Sequence, residues 1–158
     1  MLTNIEGLWQ RRWKKSPRFP KINRIDDTLP SKGYMRLVQD LDRKQSAILT
    51  QFRMGHVPLN QYLFRIKRSE TPACPHCREL AVETIKHFLF ECPHYQYKCQ
   101  THVVSKLRCE AESLQVLLSR PDALKFFFRY VRASRRFKTL APSAHPTPAP
   151  PPTHPPQP

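Results

Sequence analysis

The feature that most constrains this chain is a group of cysteine and histidine residues with the spacing of a metal site. The segment reads Cys74-Pro-His-Cys77, then nine residues, then His87-Phe-Leu-Phe-Glu-Cys92. Two cysteines separated by two residues can sit in a tight turn that directs both sulfurs to one point, as in the knuckle of many zinc modules. Thiolate and imidazole ligands favour zinc, and four protein ligands leave no open position for chemistry. The spacing therefore predicts one structural Zn²⁺ bound by Cys74, Cys77, His87 and Cys92.

The last two ligands depend on a short predicted helix. We expect this helix to run from Thr84 to about Glu91, with His87 inside it and Cys92 at its end. In an unbroken helix, residues five apart are about 140° out of phase. The helix must therefore stop near Cys92 for the two side chains to converge, and Pro93 supplies that stop.

Two other interpretations of these residues remain open. Cys77 and Cys92 can be ordinary buried thiols, with His87 as a hydrogen-bonded core histidine. Alternatively, His76, His94 or Cys99 could replace a ligand, although His76 lies inside the turn, where a side chain normally points away. Cys109 is typical of a helix-face residue without a partner. The odd number of cysteines, five, favours a reducing compartment and metal ligation over a disulfide framework.

The remaining sequence has a helical hydrophobic pattern without strand alternation or internal repeats, which predicts an all-α fold. In the clearest helix, Asp42 and Gln45 have the spacing of a capping box, and Gly55 is placed to end the helix in the left-handed conformation. The predicted helices begin at Ser31, Asp42, Pro58, Thr84, Tyr95, Leu114 and Pro121.

The composition divides the chain into three parts. Residues 1–30 are predicted to form a basic linker or arm, and residues 31–140 a small helical zinc-binding domain whose CCHC zinc knuckle spans 74–93. From 141 to 158, nine of eighteen residues are proline. Because proline fixes φ and lacks a backbone donor, we expect this tail to be disordered.

The charge of the chain favours a polyanionic partner. It carries 27 Lys and Arg residues against 12 Asp and Glu, a formal net charge of +15. Residues 1–68 carry 15 basic and 5 acidic side chains, residues 69–119 carry 5 and 6, and residues 120–158 carry 7 and 1. Both flanks of the metal-site segment should therefore attract RNA or DNA. With no secretory signal or membrane span apparent, we expect an intracellular, nuclear protein that binds no membrane.

Three groups of side chains are candidates for nucleic-acid contact. In the arm, tryptophans alternate with cations, which could combine base stacking with phosphate contact or could dock onto an upstream domain. The cation and histidine beside the helix-ending glycine could contact phosphate or cap the helix. A basic stripe on the last helix could contact phosphate or form a solvated face. The candidates are Arg11, Arg12, Trp13, Lys14 and Lys15 in the arm, Arg53 and His56 beside the glycine, and Lys125, Arg129, Arg132 and Arg136 on the last helix.

Four runs of residues are specific in combination. They are Leu49-Thr-Gln-Phe-Arg-Met-Gly-His56, Leu59-Asn-Gln-Tyr-Leu-Phe-Arg65, Cys74-Pro-His-Cys77 and Glu83-Thr-Ile-Lys-His-Phe-Leu-Phe-Glu-Cys-Pro93. Together they resemble the zinc-binding region at the C-terminal end of non-LTR retrotransposon reverse transcriptase polyproteins, especially fungal ones. The resemblance covers about Trp13 to Leu140. It implies a reverse transcriptase zinc-binding segment with the same four zinc ligands, which helps the polyprotein grip its RNA template or DNA target.

The catalytic parts of such a polyprotein are missing from this sequence. A polymerase of this type requires an aromatic-x-Asp-Asp hairpin for magnesium, and Arg24-Ile-Asp-Asp27 lacks the aromatic residue. We interpret Asp26 and Asp27 as surface carboxylates or as residues at the start of a helix. Ribonuclease H requires carboxylates clustered on a sheet, and no sheet is predicted. We therefore expect a non-enzymatic, zinc-stabilised nucleic-acid-binding module with no small-molecule substrate, which could also contact a reverse transcriptase or ribonuclease H domain.

An alternative function is that of a protein-interaction module. Its partner would recognise the Pro-rich tail, which has the P-x-x-P form at 148–151 and 152–155, or the exposed faces of the helices. Salt separates the two hypotheses, because phosphate binding weakens steeply with ionic strength and recognition of the tail does not.

Overall fold

The computed structural model describes residues 4–27, 32–77 and 80–137, and within them the chain is all-α, as predicted. One isolated antiparallel bridge, Ala73 with Val82, is the β pairing present in these residues. The predicted cap Ser31 and the predicted Pro-rich tail lie outside the described residues. The helices are α1 Asn4–Lys14, α2 Phe19–Asn23, α3 Lys32–Val38, α4 Arg43–Met54, α5 Asn60–Arg65, a π-helical turn His87–Glu91, α6 Pro93–Cys99, a second π-helical turn Gln100–Val104, α7 Ser105–Leu107, a 3₁₀ turn Arg108–Glu110, α8 Leu114–Ser119 and α9 Pro121–Ser134.

Both ends of α4 form as the sequence predicts. The Asp42 carboxylate accepts a hydrogen bond from the Gln45 backbone N–H at 2.8 Å, and the Gln45 side chain accepts from the Asp42 N–H at 3.2 Å. This capping box satisfies two backbone donors that the first turn leaves without partners. Gly55 ends the helix with φ of 68°, a left-handed conformation that costs glycine little.

The core is built around aromatic residues from three parts of the chain. Phe52 on α4 packs edge-on against Phe127 of α9, with 5.0 Å between ring centroids, and against Phe137 at 5.8 Å. Phe88 lies 6.1 Å from Phe52 and belongs to the π-helical turn that carries His87. The metal-site segment is therefore packed into the same core as α4 and α9.

Helix α5 and the arm differ from the sequence-based expectations. Helix α5 begins at Asn60 rather than at Pro58, because Val57 and Leu59 are both only 1% exposed and the chain stays extended at Leu59 to bury them. Residues 1–30, which we predict only as a basic linker or arm, contain the helices α1 and α2. A Trp13–Phe19 edge contact, 6.1 Å between ring centroids, joins these two helices.

Arg108 occupies a backbone conformation that non-glycine residues rarely adopt, with φ of 50° and ψ of −123°. Such conformations cost on the order of 1–3 kcal/mol because Cβ crowds the backbone. We expect Arg108→Gly to raise the free energy of unfolding by about 1 kcal/mol, measured by urea denaturation. Arg108→Ala is the matched control, since it removes the same side chain and keeps Cβ. Equal effects of the two substitutions would contradict this account of the strain.

Candidate metal centre

A hairpin-like loop places the first two candidate ligands. The Ala73–Val82 bridge brings the two sides of this loop together, and the Cys74 N–H donates to the Ala81 carbonyl at 2.7 Å. Between them the chain turns so that the Cys77 N–H donates to the Cys74 carbonyl at 3.3 Å. Both sulfurs therefore lie on the inner side of the turn, as the spacing of two intervening residues predicts.

A π-helical turn places the other two ligands. The Cys92 N–H donates to the carbonyl of His87, five residues earlier, at 2.8 Å, and the Thr84 hydroxyl accepts from the His87 N–H at 2.9 Å. The spacing and Pro93 predict an α-helix that stops near Cys92. The helical turn does end there, before Pro93 starts α6. The reason why the side chains of His87 and Cys92 converge, however, is the π-helical hydrogen bond and not the end of the helix. A hydrogen bond between residues five apart widens the turn and stacks those two residues on one face.

The four predicted ligands come together at one point. The Cys92 sulfur lies 3.8 Å from those of Cys74 and Cys77, and the Cys77 sulfur lies 3.4 Å from His87 Nε2. All four ligand atoms are within 4.8 Å of one another. A tetrahedral zinc with Zn–S bonds of about 2.3 Å and Zn–N bonds of about 2.0–2.1 Å separates its ligands by about 3.5–3.8 Å. The sulfurs are much too far apart for disulfides, which require about 2.05 Å.

Burial affects the protonation of the cysteines in this ligand cluster. Cys74, Cys92 and His87 are at most 5% exposed, and Cys77 is partly exposed. Desolvation raises the pKa of Cys92 and that of Cys77, because burial disfavours the thiolate. Without a metal, burial therefore favours the neutral thiol form of Cys77 and Cys92. A divalent cation has to displace their protons, so metal binding competes with acid.

The competing candidate ligands lie outside the cluster. His76 stacks on His94 with ring centroids 3.8 Å apart, and its Nε2 is 3.0 Å from the Tyr95 hydroxyl. Its ring therefore makes contacts with the start of α6 instead of with the cluster. Cys99 is buried inside α6, and Cys109 is exposed. Among the described residues, only the four predicted ligands form a group of this kind.

A buried ion pair supports the loop that carries the first two ligands. The fully buried carboxylate of Glu83 accepts two hydrogen bonds from Arg136, both 2.8 Å, and one from the Asn60 N–H at 2.7 Å. The Asn60 side chain donates to the carbonyl of Ala73, next to Cys74, at 2.7 Å. The carboxylate also raises the pKa of Arg136. This network is not predictable from the sequence, because a single acidic residue in a loop gives no periodic or spacing signal.

This network corrects the prediction for Arg136. The sequence placed it on the exposed basic stripe of the last helix, but α9 ends at Ser134, and the Arg136 side chain is only 22% exposed. Its guanidinium forms a bidentate pair with the Glu83 carboxylate, which is buried and would otherwise lack a countercharge. We therefore remove Arg136 from the candidate nucleic-acid contacts.

Arg53 is also an interior residue. It is 6% exposed, donates to the Leu118 carbonyl at 2.8 Å and to the Ser119 hydroxyl at 3.3 Å, and forms an ion pair with Asp26. Its guanidinium therefore connects α4 to the arm and to α8. It does not face solvent, where it could contact a phosphate of a nucleic acid. The interpretation of Asp26 as a surface carboxylate is wrong, because its side chain is 13% exposed, whereas Asp27 is exposed.

The other candidate contacts lie at the surface, except for Trp13. Trp13 is half-buried against Phe19, and His56 is exposed and stacks on Tyr62 with 5.2 Å between ring centroids. Within the described chain, none of the stripe cations on α9 forms an ion pair with an acidic side chain. The exposed candidates are Arg11, Arg12, Lys14 and Lys15 in the arm, His56, and Lys125, Arg129 and Arg132 on α9.

Comparison of the chain with known protein-family models, with curated proteins and with solved structures finds no match. In the described part of the chain, no helix combines the length and the apolar character needed to cross a membrane. The fold and the site together define an all-α protein with a compact Cys₃His cluster that can hold a metal ion.

Removing the arginine of the buried ion pair should destabilise the protein strongly. Arg136→Ala leaves the Glu83 carboxylate buried without a countercharge, and we expect the free energy of unfolding to fall by about 3–5 kcal/mol in urea denaturation. Adding Glu83→Gln should restore part of this loss, because it removes the unpaired charge. Arg132→Ala is the matched control on the exposed face and should change the free energy by less than about 0.5 kcal/mol. An Arg136→Ala protein as stable as this control would contradict the role of the pair.

Proposed function

We propose that this chain is a zinc-stabilised nucleic-acid-binding module, related to the C-terminal zinc-binding region of non-LTR retrotransposon reverse transcriptases. The observation that carries the proposal is the Cys₃His cluster, whose sulfur–sulfur distances of 3.8 Å match a tetrahedral zinc site. It lies in a chain of net charge +15, whose exposed cations project from segments on either side of the cluster in sequence.

The zinc ion would have a structural role. Cys74, Cys77, His87 and Cys92 would hold it with no coordination position left for substrate. When bound, it supplies a cross-link between the knuckle loop and the π-helical turn. The protein residues do the rest, since the Glu83–Arg136 pair fixes the loop and Phe88 fixes the turn in the core.

Nucleic-acid binding would use the surface cations of the arm and of α9. Lys and Arg side chains gain affinity for phosphate by releasing condensed counterions, and this attraction requires no particular base sequence. An RNA template or a DNA target is the proposed partner. We propose no catalytic role, and the engagement of Asp26 with Arg53 supports this, because a buried, paired carboxylate is a poor ligand for a catalytic magnesium ion.

A second candidate function is supported by the exposed apolar residues of α1. Ile5 is 71% exposed, Leu8 50% and Trp9 61%, and their spacing places them on one face of the helix. Such a face is suited to contact with another protein domain, and a reverse transcriptase or ribonuclease H domain is the proposed partner. Recognition of the Pro-rich tail by a partner remains the other form of this alternative.

Binding to nucleic acid should depend steeply on salt. We expect the full chain to bind a fluorescent single-stranded 20-mer in an anisotropy titration, with affinity falling about 100-fold between 50 and 200 mM salt if about five phosphates are neutralised. Double-stranded DNA and single-stranded RNA of the same length would show which polymer is preferred. Absence of binding at 50 mM salt, or binding that salt does not weaken, would contradict the proposed function and favour the protein-interaction alternative.

A further inference from the structure

A groove lies between α3 and α9, with a volume of about 400 Å³. Its floor includes Leu37 of α3 and Leu124 and Phe128 of α9, which are otherwise buried in the core. Cations line both walls, Arg36 from α3 and Lys125, Arg129 and Arg132 from α9. Among the described residues that line this groove, Asp40 is the one acidic residue. The groove thus has an apolar floor between two cationic walls.

A second groove of about 370 Å³ adjoins the first along α9. Phe128 and Arg132 line both, so together they form a single track over this helix. Lys44 of α4 and Arg135 add two further cations to its walls. Asp42 is also present, but its carboxylate is engaged in capping α4. Over the whole track, cations outnumber carboxylates. This excess of positive charge favours a polyanionic chain over a small ligand with a single negative charge.

The dimensions of the track fit one strand of nucleic acid. Lys125 and Arg132 are seven residues apart, which is about 10 Å along the axis of α9. Phosphates of one strand recur about every 3.4 Å along the axis of B-DNA, so this length spans about three phosphates at that spacing and fewer on a more extended single strand. Proteins that bind single strands combine such a basic track with surfaces on which the bases can lie. A duplex hides its bases and could use only the cations.

We propose that this track is a binding site for single-stranded nucleic acid, in which the α9 cations contact successive phosphates and the apolar floor covers a base. The inference rests on the proposed nucleic-acid-binding function and names the surface and the strand form. Arg36 and Lys44 line the opposite wall, and a guanidinium there could stack on a base or pair with a phosphate.

The test removes the three cations of α9 from the full, zinc-loaded chain. The variant Lys125→Ala/Arg129→Ala/Arg132→Ala is titrated with a fluorescent single-stranded 10-mer at 100 mM salt. We expect its affinity to fall by about 30-fold or more, and the slope of log affinity against log salt to become shallower by about 2, since three counterion-releasing contacts are lost. The matched control removes the same charge from exposed residues outside the track, as Arg65→Ala/Lys67→Ala/Arg68→Ala, and should lose less than about 3-fold.

Two further ligands test the role of the bases. A duplex 10-mer and a 10-mer with consecutive abasic positions should each bind the wild-type chain at least about 10-fold more weakly than the intact single strand, because neither offers a base to the apolar floor. Circular dichroism of each variant checks that the helices are retained.

The outcomes separate this inference from the function on which it rests. If the wild-type chain binds the single strand and the two triple variants lose affinity equally, the track is not the site, although the nucleic-acid function stands. If the duplex or the abasic strand binds as tightly as the intact strand, the apolar floor has no role and the single-strand assignment is wrong. If the wild-type chain binds none of the ligands at 50 mM salt, the proposed function itself fails.

Discussion

The convergence of Cys74, Cys77, His87 and Cys92 joins two segments that have little regular structure of their own. One is a loop closed by a single β-bridge, and the other is a five-residue π-helical turn. Phe88, next to His87, packs against aromatic rings from α4, α6 and α9, and its carbonyl accepts a hydrogen bond from the Tyr130 hydroxyl. The ligand turn is therefore packed against three helices in the core, and we infer that the fold depends on the Cys₃His cluster that can hold a metal ion.

Two buried ion pairs extend this arrangement to the ends of the domain. Arg136 connects the segment after α9 to Glu83 beside the knuckle loop, and Arg53 connects α4 to Asp26 at the end of the arm. Arg53 and Arg136, which pair with carboxylates in the interior, hold distant segments together. The cations of the α9 stripe, Lys125, Arg129 and Arg132, are by contrast exposed at the surface.

The sequence predicted the features whose causes are local. The capping box at Asp42, the left-handed glycine at Gly55 and the four ligands each depend on residues close together in the chain. The π-helical turn was missed because a five-residue spacing was judged by α-helical geometry alone, although the ligand requirement itself favours a wider turn. Arg53 and Arg136 were misplaced because their partners lie 27 and 53 residues away, and no periodicity reveals such pairs.

The most direct test of this account is the number of zinc ions bound per molecule, measured by elemental analysis of the full chain together with its far-ultraviolet circular dichroism. We compare the wild type with Cys77→Ser, which removes a ligand, and with Cys109→Ser, a matched change at an exposed cysteine outside the cluster. The account predicts one zinc and a full helical signal in the wild type and in Cys109→Ser, and loss of both in Cys77→Ser. A helical wild-type protein without zinc, or a Cys77→Ser protein that keeps its helices, would contradict the dependence of the fold on the metal site.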